Sequence, residues 1–418
     1  MIRTFSLIYA GIVTVCMAYI GFGLLRRLIA RGRGRGTLTS GRYTVIPPVR
    51  ELAVIFAAAL VSRILLFCWS FLLLRLMDGT SGDGLQDFYH LWIHWDARHY
   101  YGIASEWYTA VGDARLRLVF FPLYPLLIRI FAPLTGGNMT FAGTLISVLS
   151  GSGAAVLLYI MACNVQDADP PATVLHFLLN PLSVFLCCLY TEGLFLFLTL
   201  AAFLLRRFGH PWAGAVLGML SALTRMPGIL LAGFILIDLL EDLFAGTLTC
   251  RRAAAGAAQM LIVFCGLFIY WGINARVTGD PFMYLTYQRE NWFQEAGTFW
   301  NSARNTMEYF LTSAGEDDRW WTWGTQVFAI LLALLLMIRA GDLPFDLMAY
   351  SFVYMVVVLS PTWLLSGPRY IFGLFVLPLM QDRALARLPE WVRLICMVLS
   401  GGLLLLFVQG YTLAVQVF

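Results

Sequence analysis

Residues that can bind ligands or transfer protons are concentrated between positions 83 and 108 of the sequence. The acids, imidazoles and guanidinium there belong to Asp83, Asp87, His90, His94, Asp96, Arg98, His99 and Glu106, and the aromatic rings to Trp92, Trp95, Tyr100, Tyr101, Trp107 and Tyr108. Carboxylates beside aromatic faces suit a carbohydrate, because its C–H faces stack and its hydroxyls hydrogen-bond. An interfacial helix with a Trp/Tyr belt and solvated charges has the same composition, so composition alone leaves both interpretations open.

His90 and His94 are four residues apart, so a helix would place both on one face. With Asp96 or His99 they could bind a divalent metal ion. A single HxxxH pattern is a weak signal, and hydrogen bonding at a membrane interface is the favoured interpretation. The sequence therefore predicts no definite cofactor, although a divalent cation is possible.

The composition of the chain indicates which kind of fold must position these side chains. Of 418 residues, 60% are hydrophobic and 12% are charged, whereas soluble domains carry about 25% charged residues. A water-soluble enzyme is excluded. About 13 apolar runs, against about 20 residues for one bilayer crossing, predict an all-α polytopic membrane protein with about 11–13 transmembrane helices, folded as a single domain over 1–418.

Arginine marks the cytoplasmic side. The linker at 26–50 contains seven arginines and no acid, so residues 1–50 are interpreted as an extra N-terminal helix followed by a flexible cytoplasmic Arg/Gly linker. Anionic-lipid or nucleic-acid binding by this linker is an alternative. Counting crossings places the loops at 77–117 and 275–320 on the exoplasmic face. One of the three runs between 118 and 190 must then be interfacial or re-entrant, with Pro181 as a candidate break.

Five motifs resemble, in the same order, those of the PIG-V family of mannosyltransferases in the multi-pass GT-C class. They are WDARHYYGIASEWY with FFPLYPLLIR (95–129), NPLSVFLCCLYTEGLF (180–195), ALTRMPGILL (222–231), GDPFMYLTYQRENW (279–292) and SGPRYIFGLFVLPL (366–379). The departures are the extra N-terminal helix and a threonine, Thr191, where serine is common.

The resemblance implies a GT-C fold and inverting transfer of a sugar, most simply mannose, from a polyprenyl- or dolichyl-phosphate donor to an acceptor hydroxyl on the exoplasmic face. Asp96 occupies the family's acidic position, as the expected catalytic base. Arg225, Arg369 and Arg98 are expected to bind the donor phosphate. Both Arg225 and Arg369 are predicted at outer helix tips, near the membrane surface. The residues expected to bind substrate are Trp95, His99, Tyr100, Tyr190, Glu192, Gln288, Trp292 and Tyr370.

Several of these residues have simpler interpretations. Glu192 could only cap its helix, Arg225 could be a snorkelling anchor, and Arg369 could hold a turn. Arg63, in mid-span, is a functional candidate by position, but an ion pair inside the bundle explains it as well.

At the level of the whole protein, the alternatives are a transporter or flippase for lipid-linked sugars, or a non-catalytic subunit of a glycosylation complex. The expected partners are the lipid-linked donor, membrane lipids and a glycan, glycolipid, polymer or protein acceptor, with no nucleic acid. All basic residues are arginine, which, with the compact length, favours a bacterial plasma membrane over the endoplasmic reticulum.

Overall fold

The computed structural model describes residues 1–78, 92–316 and 318–415, and its regular elements there are all helical. An isolated β-bridge joins Ala296 and Pro361. In chain order the α-helices are α1 (Ile2–Gly32), α2 (Val49–Asp78), α3 (Asp96–Glu106), α4 (Leu123–Phe131), α5 (Met139–Cys163), α6 (Pro170–Leu178), α7 (Glu192–Arg207), α8 (Pro211–Ala222), α9 (Ala232–Phe244), α10 (Cys250–Thr278), α11 (Met283–Trp292), α12 (Phe299–Thr312), α13 (Thr325–Arg339), α14 (Phe345–Val358), α15 (Gly367–Phe372), α16 (Leu377–Leu385) and α17 (Glu390–Thr412).

Six helical segments in the described chain are long and apolar enough to cross a membrane. They are Ile2–Gly32, Val49–Leu76, Met139–Cys163, Cys250–Thr278, Asp318–Arg339 and Glu390–Thr412. The all-α polytopic fold class is therefore confirmed. The count of about 11–13 spans stays a prediction, because the other apolar runs fall on shorter or broken helices.

The run at 118–134 is bent. Asp113–Val119 and Leu123–Thr135 meet at 110° and together could form a seventh span or a re-entrant loop. The chain reverses at once into α5, where the Tyr124 hydroxyl hydrogen-bonds to Gly143 O at 2.9 Å. This geometry fits the expectation that one run between 118 and 190 does not cross the bilayer in the ordinary way.

The chain also breaks at Pro181, as the sequence indicated. Helix α6 ends at Leu178 and a 3₁₀ turn covers Pro181–Leu186. Arg63 of α2 donates to Ser183 O at 2.7 Å and to Leu178 O at 2.8 Å. The mid-span guanidinium thus satisfies carbonyls that the break leaves open, and the alternative of an ion pair is wrong within the described residues.

The arginine-rich linker is held against one end of the bundle, here called the linker end. Ser40 donates through its backbone N–H and its hydroxyl to the Asp346 carboxylate at 2.9 and 2.8 Å, and Leu38 N–H donates to Glu241 at 2.8 Å. Arg207 bridges Asp346 and Asp238 at 2.7 and 2.9 Å. These bonds tie residues 38–40 to α9 and α14, so this part of the linker is not the flexible chain that its glycines predicted.

Candidate functional site

Four charged residues from separate motifs converge at the end of the bundle opposite the linker. Asp96 begins α3, Glu192 begins α7, Arg225 immediately precedes the 3₁₀ turn Met226–Leu231, and Arg369 lies in the first turns of α15. The two acids stand at helix N-termini, where a negative charge is favourable to the helix dipole. Each residue is therefore positioned by the start of a helical element.

The four side chains form an alternating chain of charges. Arg369 Nη2 lies 2.6 Å from Asp96 Oδ2, and Arg369 Nε lies 3.4 Å from Glu192 Oε1. Arg225 donates to the same Glu192 oxygen. Two guanidiniums and two carboxylates compensate each other, so the cluster is formally neutral.

Burial differs along this chain of charges. The side chains of Glu192, Arg369 and Arg225 are 1%, 6% and 9% exposed, whereas that of Asp96 is 23% exposed. Both arginines were predicted at outer helix tips near the membrane surface, and at those positions their side chains are buried inside the protein. Charge compensation inside the protein, and not solvent, keeps them ionised.

Two buried polar atoms of the cluster lack a hydrogen-bond partner among the described residues: Glu192 Oε2 and Arg369 Nε. Leaving a buried charged group incompletely hydrogen-bonded is costly. Burial lowers the pKa of the Arg369 guanidinium, but Asp96 and Glu192 raise it by more, so the net shift is upward. The cluster thus holds spare hydrogen-bonding capacity around a firmly charged arginine.

Aromatic rings fix both guanidiniums. The Tyr370 ring centroid lies 5.0 Å from Arg225 Cζ and 5.5 Å from Arg369 Cζ. Tyr190 faces Arg369 at 5.0 Å, and Phe195 faces Arg225 at 5.8 Å. Cation–π contacts of this kind stabilise a buried cation and restrict its rotamers.

Glycines in two of the motifs permit the backbone approaches that set these positions. A Cβ on Gly193, next to Glu192, would lie 2.5 Å from Ser147 O of α5. A Cβ on Gly228 would lie 2.3 Å from Ala222 N. The Glu-Gly and Thr-Arg-x-x-Gly patterns therefore let the starts of α7 and of the turn after Arg225 pack directly on neighbouring backbone.

The cluster forms part of the wall of a cavity of about 280 Å³. Of the predicted site residues, those that line it are Asp96, Tyr100, Glu192, Arg225, Gln288, Trp292, Arg369 and Tyr370. Sequence reasoning missed Gln294, whose amide accepts from Gln288 Nε2 at 2.8 Å and donates to Trp363 O at 3.2 Å. It also assigned no role to several hydroxyl-bearing residues of the cavity wall. Thr191, Thr224, Tyr284 and Ser366 lie inside recognised motifs, which was a usable signal, but Ser360 does not.

Four predicted residues are not part of the cavity wall. Arg98 is exposed, and its hydrogen bond among the described residues is to Ile93 O at 3.4 Å, so its expected contact with a phosphate finds no geometric support. Trp95 packs on Tyr411, and Tyr190 lies behind Arg369 with its hydroxyl on His94 O at 3.2 Å. Tyr190 therefore supports the cluster from behind.

His99 stacks on Phe120 at 4.5 Å between ring centroids, beside the cavity. Burial lowers the pKa of His99 from its ordinary 6.5, and Arg117 lowers it further while Asp96 opposes the shift. A neutral imidazole next to a cavity-lining aromatic is suited to packing and hydrogen bonding more than to binding an anion.

The two weak candidates for metal binding were His90 and His94. His90 lies outside the described residues. His94 packs on Trp95 and Tyr411, with ring centroids 5.2 and 5.4 Å apart. Within the part of the chain that the structure describes, no three His, Cys, Asp or Glu side chains are grouped to hold a metal ion.

Comparison with known proteins gives one family. A family model described as Mannosyltransferase (PIG-V) matches residues 82–332. The chain is 33% identical over 186 residues to GPI alpha-1,6-mannosyltransferase 2 of Rattus norvegicus, covering 41% of this chain and 36% of that protein. Identity to the proteins of the same name is 32% over 173 residues in Mus musculus and 30% over 182 residues in Homo sapiens, covering 39% and 41% of this chain and 33% and 34% of those proteins.

The matched region thus spans about a third of the length of these relatives. No solved structure matches the chain. Asp96, Glu192 and Arg225 lie inside the family-matched region, and Arg369 lies beyond it.

Proposed function

Since the chain belongs to the mannosyltransferase (PIG-V) family, we propose that it is a membrane-embedded mannosyltransferase. It would move mannose from a polyprenyl-phosphate donor to an acceptor hydroxyl of a glycan, glycolipid, polymer or protein, with inversion, on the exoplasmic face. The observation that supports this most is the single cavity on which a partly exposed carboxylate, Asp96, meets two buried arginines, Arg225 and Arg369.

The reaction makes two demands on the site. The acceptor hydroxyl must lose its proton as its oxygen attacks C1 of the sugar, so a carboxylate is needed beside that hydroxyl. The bond from C1 to the phosphate oxygen breaks as the new bond forms, and its electron pair leaves with the phosphate. The added negative charge on that phosphate requires fixed cations.

The charge arrangement indicates how the residues share these roles. Arg369 is bonded to Asp96 at 2.6 Å while also lying against Glu192. A donor phosphate that takes over hydrogen bonds of Arg369 would leave the Asp96 carboxylate free to accept the acceptor's proton. Glu192, which contacts both arginines, would keep the two guanidiniums in place when the phosphate arrives.

The cavity supplies the rest of a sugar site. Trp292 and Tyr100 offer aromatic faces, while Gln288 and Gln294 offer amides already aligned by their mutual hydrogen bond. Apolar walls with a few convergent polar groups are typical of small-molecule sites. We assign the sugar to this part of the cavity and the phosphate to the arginines. The host membrane, bacterial plasma membrane or endoplasmic reticulum, stays a prediction.

The decisive experiment is transfer by purified protein given a radiolabelled polyprenyl-phosphate mannose and a glycan acceptor. Asp96→Asn keeps the side chain's shape and removes the base, so turnover should fall by about 10²–10⁴-fold. Asp113→Asn is the matched control, because Asp113 is a fully exposed carboxylate that does not line the cavity. Near-normal turnover by folded Asp96→Asn would disprove the base assignment. A wild-type protein without any transfer would instead favour the transporter or non-catalytic subunit.

A further inference from the structure

A second cavity, of about 340 Å³, lies at the linker end of the bundle between α1 and α13. It is called the arginine groove here. Helix α14 separates it from the candidate active site, since Met348 lines the groove and Val357 lines the site. These positions are about 14 Å apart along the helix, so the groove is a distinct feature.

The groove wall changes in character along α1. Tyr19 and Phe22 are 64% and 60% exposed on a helix that is apolar enough to span the membrane. Helix α1 has 31 residues, or about 46 Å, against about 30 Å for the hydrocarbon core. The last turns of α1, with Arg26 and Arg27, therefore extend to the level of lipid headgroups.

Four arginines and one acid line this end of the groove: Arg26, Arg27, Arg339, Arg387 and Asp342. Arg27 donates hydrogen bonds to the carbonyl oxygens of Gly341 and Leu343 at 3.3 and 2.9 Å. Arg387 forms an ion pair with Asp342 at 2.9 Å. Asp342 is shared with a further arginine, Arg383, at 2.8 Å.

Arg26 and Arg339 have no ion pair with a carboxylate among the described residues. The groove therefore joins an apolar, membrane-facing wall to a surplus of guanidinium donors at headgroup depth. Basic pockets between transmembrane helices fit anionic lipid headgroups, and guanidinium groups bind phosphate through paired hydrogen bonds.

We propose that the arginine groove binds one anionic phospholipid of the linker-side leaflet, with an acyl chain against Tyr19 and Phe22 and the headgroup phosphate between Arg26 and Arg339. The apolar half and the arginine half of the groove wall together identify the ligand. A free phosphate would leave the apolar half unused, and a zwitterionic lipid would leave the positive charge uncompensated. This site is independent of the proposed transferase activity.

Gly23 gives a way to fill the groove without disturbing the protein. It lines the groove, and a Cβ there meets nothing within 4 Å. Gly11, on the same helix, is equally open but does not line the groove. Leucine is also a better helix former than glycine, so Gly23→Leu should fold and block the groove, and Gly11→Leu is its matched control.

The contribution of the arginines to lipid binding is tested with separate variants. Arg26→Gln with Arg339→Gln removes the two cations that have no ion pair among the described residues; Arg26 lies over the Phe22 ring at 6.0 Å. Arg3→Gln with Arg75→Gln removes the same charge from positions that do not line the groove.

The probe is phosphatidylglycerol in nanodiscs of equal parts phosphatidylglycerol and phosphatidylcholine, and the readout is lipid retained on the detergent-released protein in native mass spectra. We expect wild type and both controls to retain one phosphatidylglycerol. Gly23→Leu and the Arg26/Arg339 variant should each bind it at least roughly tenfold more weakly.

Equal retention by all five proteins would overturn the proposal. Loss in the arginine variant with full retention in Gly23→Leu would also overturn it, because the site would then recognise a phosphate alone. Displacement of the bound lipid by glycerol phosphate at low concentration would lead to the same conclusion. Retention of phosphatidylcholine in place of phosphatidylglycerol would reject the role given to the arginines.

Discussion

At the scale of single residues, Glu192 occupies the centre of the charge cluster. Its Oε1 accepts from Arg225 and lies 3.4 Å from Arg369 Nε, while Oε2 has no partner in the described chain. Two guanidiniums held this close would repel each other without the carboxylate. The resemblance assigned Glu192 to substrate binding. The arrangement of both arginines also depends on this residue.

We therefore expect Glu192→Gln to lower the free energy of unfolding by about 3–5 kcal/mol, the usual cost of breaking a buried ion pair from one side. Thermal unfolding in detergent measures this loss. The double variant Glu192→Gln/Arg225→Gln should recover part of it, because the uncompensated charge is gone. Glu106→Gln is the control: its carboxylate is 67% exposed and pairs with Arg117 at 2.5 Å, so its loss should cost under about 1 kcal/mol. An unchanged unfolding midpoint in Glu192→Gln would refute this role.

Arg225 and Arg369 are also single residues, but their proposed role is tested by enzyme kinetics and not by stability. A cation that holds the leaving phosphate acts more strongly in the transition state than in the ground state. Arg225→Ala or Arg369→Ala should therefore lower kcat together with kcat/KM, by about 10²–10³-fold for a lost transition-state donor. Lysine at either position should restore only part of the activity, since it lacks the planar fork.

Donor-side kinetics of the folded variants decide between two outcomes. If both alanine variants keep the wild-type kcat and only raise KM, phosphate stabilisation must come from a metal ion or from backbone amides. Unfolding midpoints should be compared in parallel, because both arginines are buried.

At the scale of elements, the broken segment between α6 and α7 shows what sequence can and cannot predict. The Asn-Pro pair at 180–181 predicts an interruption, and the Asn180 side chain does accept from Leu182 N–H at 2.9 Å. The local Ser183 hydroxyl donates to Leu178 O at 2.8 Å, but nothing local identifies the second donor to these carbonyls, Arg63 of α2. A mid-span arginine was recognisable as unusual, but its distant partners depend on helix packing.

Arg63 should therefore be required for stability. Arg63→Met leaves Ser183 O without its Arg63 donor inside the bundle and takes one of two donors from Leu178 O, which keeps the Ser183 hydroxyl at 2.8 Å. An unsatisfied buried group costs about 1–3 kcal/mol. We expect a lower unfolding midpoint, with Arg63→Lys intermediate because one ammonium cannot span both acceptors as the guanidinium does. Arg75→Met, near the end of the same helix, removes an arginine whose described contact is a ring, Phe71 at 5.1 Å, and should have little effect. Equal midpoints for Arg63→Met and Arg75→Met would contradict this interpretation.

At the scale of the whole molecule, the site exists only after long-range packing. The residues that meet, Asp96, Glu192, Arg225 and Arg369, come from four motifs, and the sequence predicted each of them separately. Their pairing could not be predicted, since α3, α7 and α15 must all present their first turns to one cavity. The burial of both arginines was missed for the same reason: a position near a helix start looks exposed until neighbouring elements cover it.

The same architecture separates charge between the two ends of the bundle. The candidate site occupies one end, whereas the linker, Arg31 paired with Glu241 at 3.0 Å, and Arg252 paired with Asp242 at 2.9 Å lie at the other. Arginine-rich short loops stay on the cytoplasmic side of a membrane. This distribution predicts that the candidate site opens to the exoplasmic side.

Impermeant thiol labelling of intact cells tests this orientation. Cys250 begins α10 at the linker end and is exposed, so it serves as a native cytoplasmic probe, and Thr37→Cys adds a second on the exposed linker. Ala110→Cys and Ala314→Cys place thiols at exposed positions of the loops on the other side, whereas Ser302 is too buried to serve. We expect labelling of the two alanine-derived cysteines in intact cells, and labelling of Cys250 and Thr37→Cys only after permeabilisation. The opposite result is labelling of Cys250 or Thr37→Cys in sealed cells with Ala110→Cys and Ala314→Cys protected. It would mean that the protein has the opposite orientation in the membrane and that the proposed transferase site lies on the cytoplasmic side.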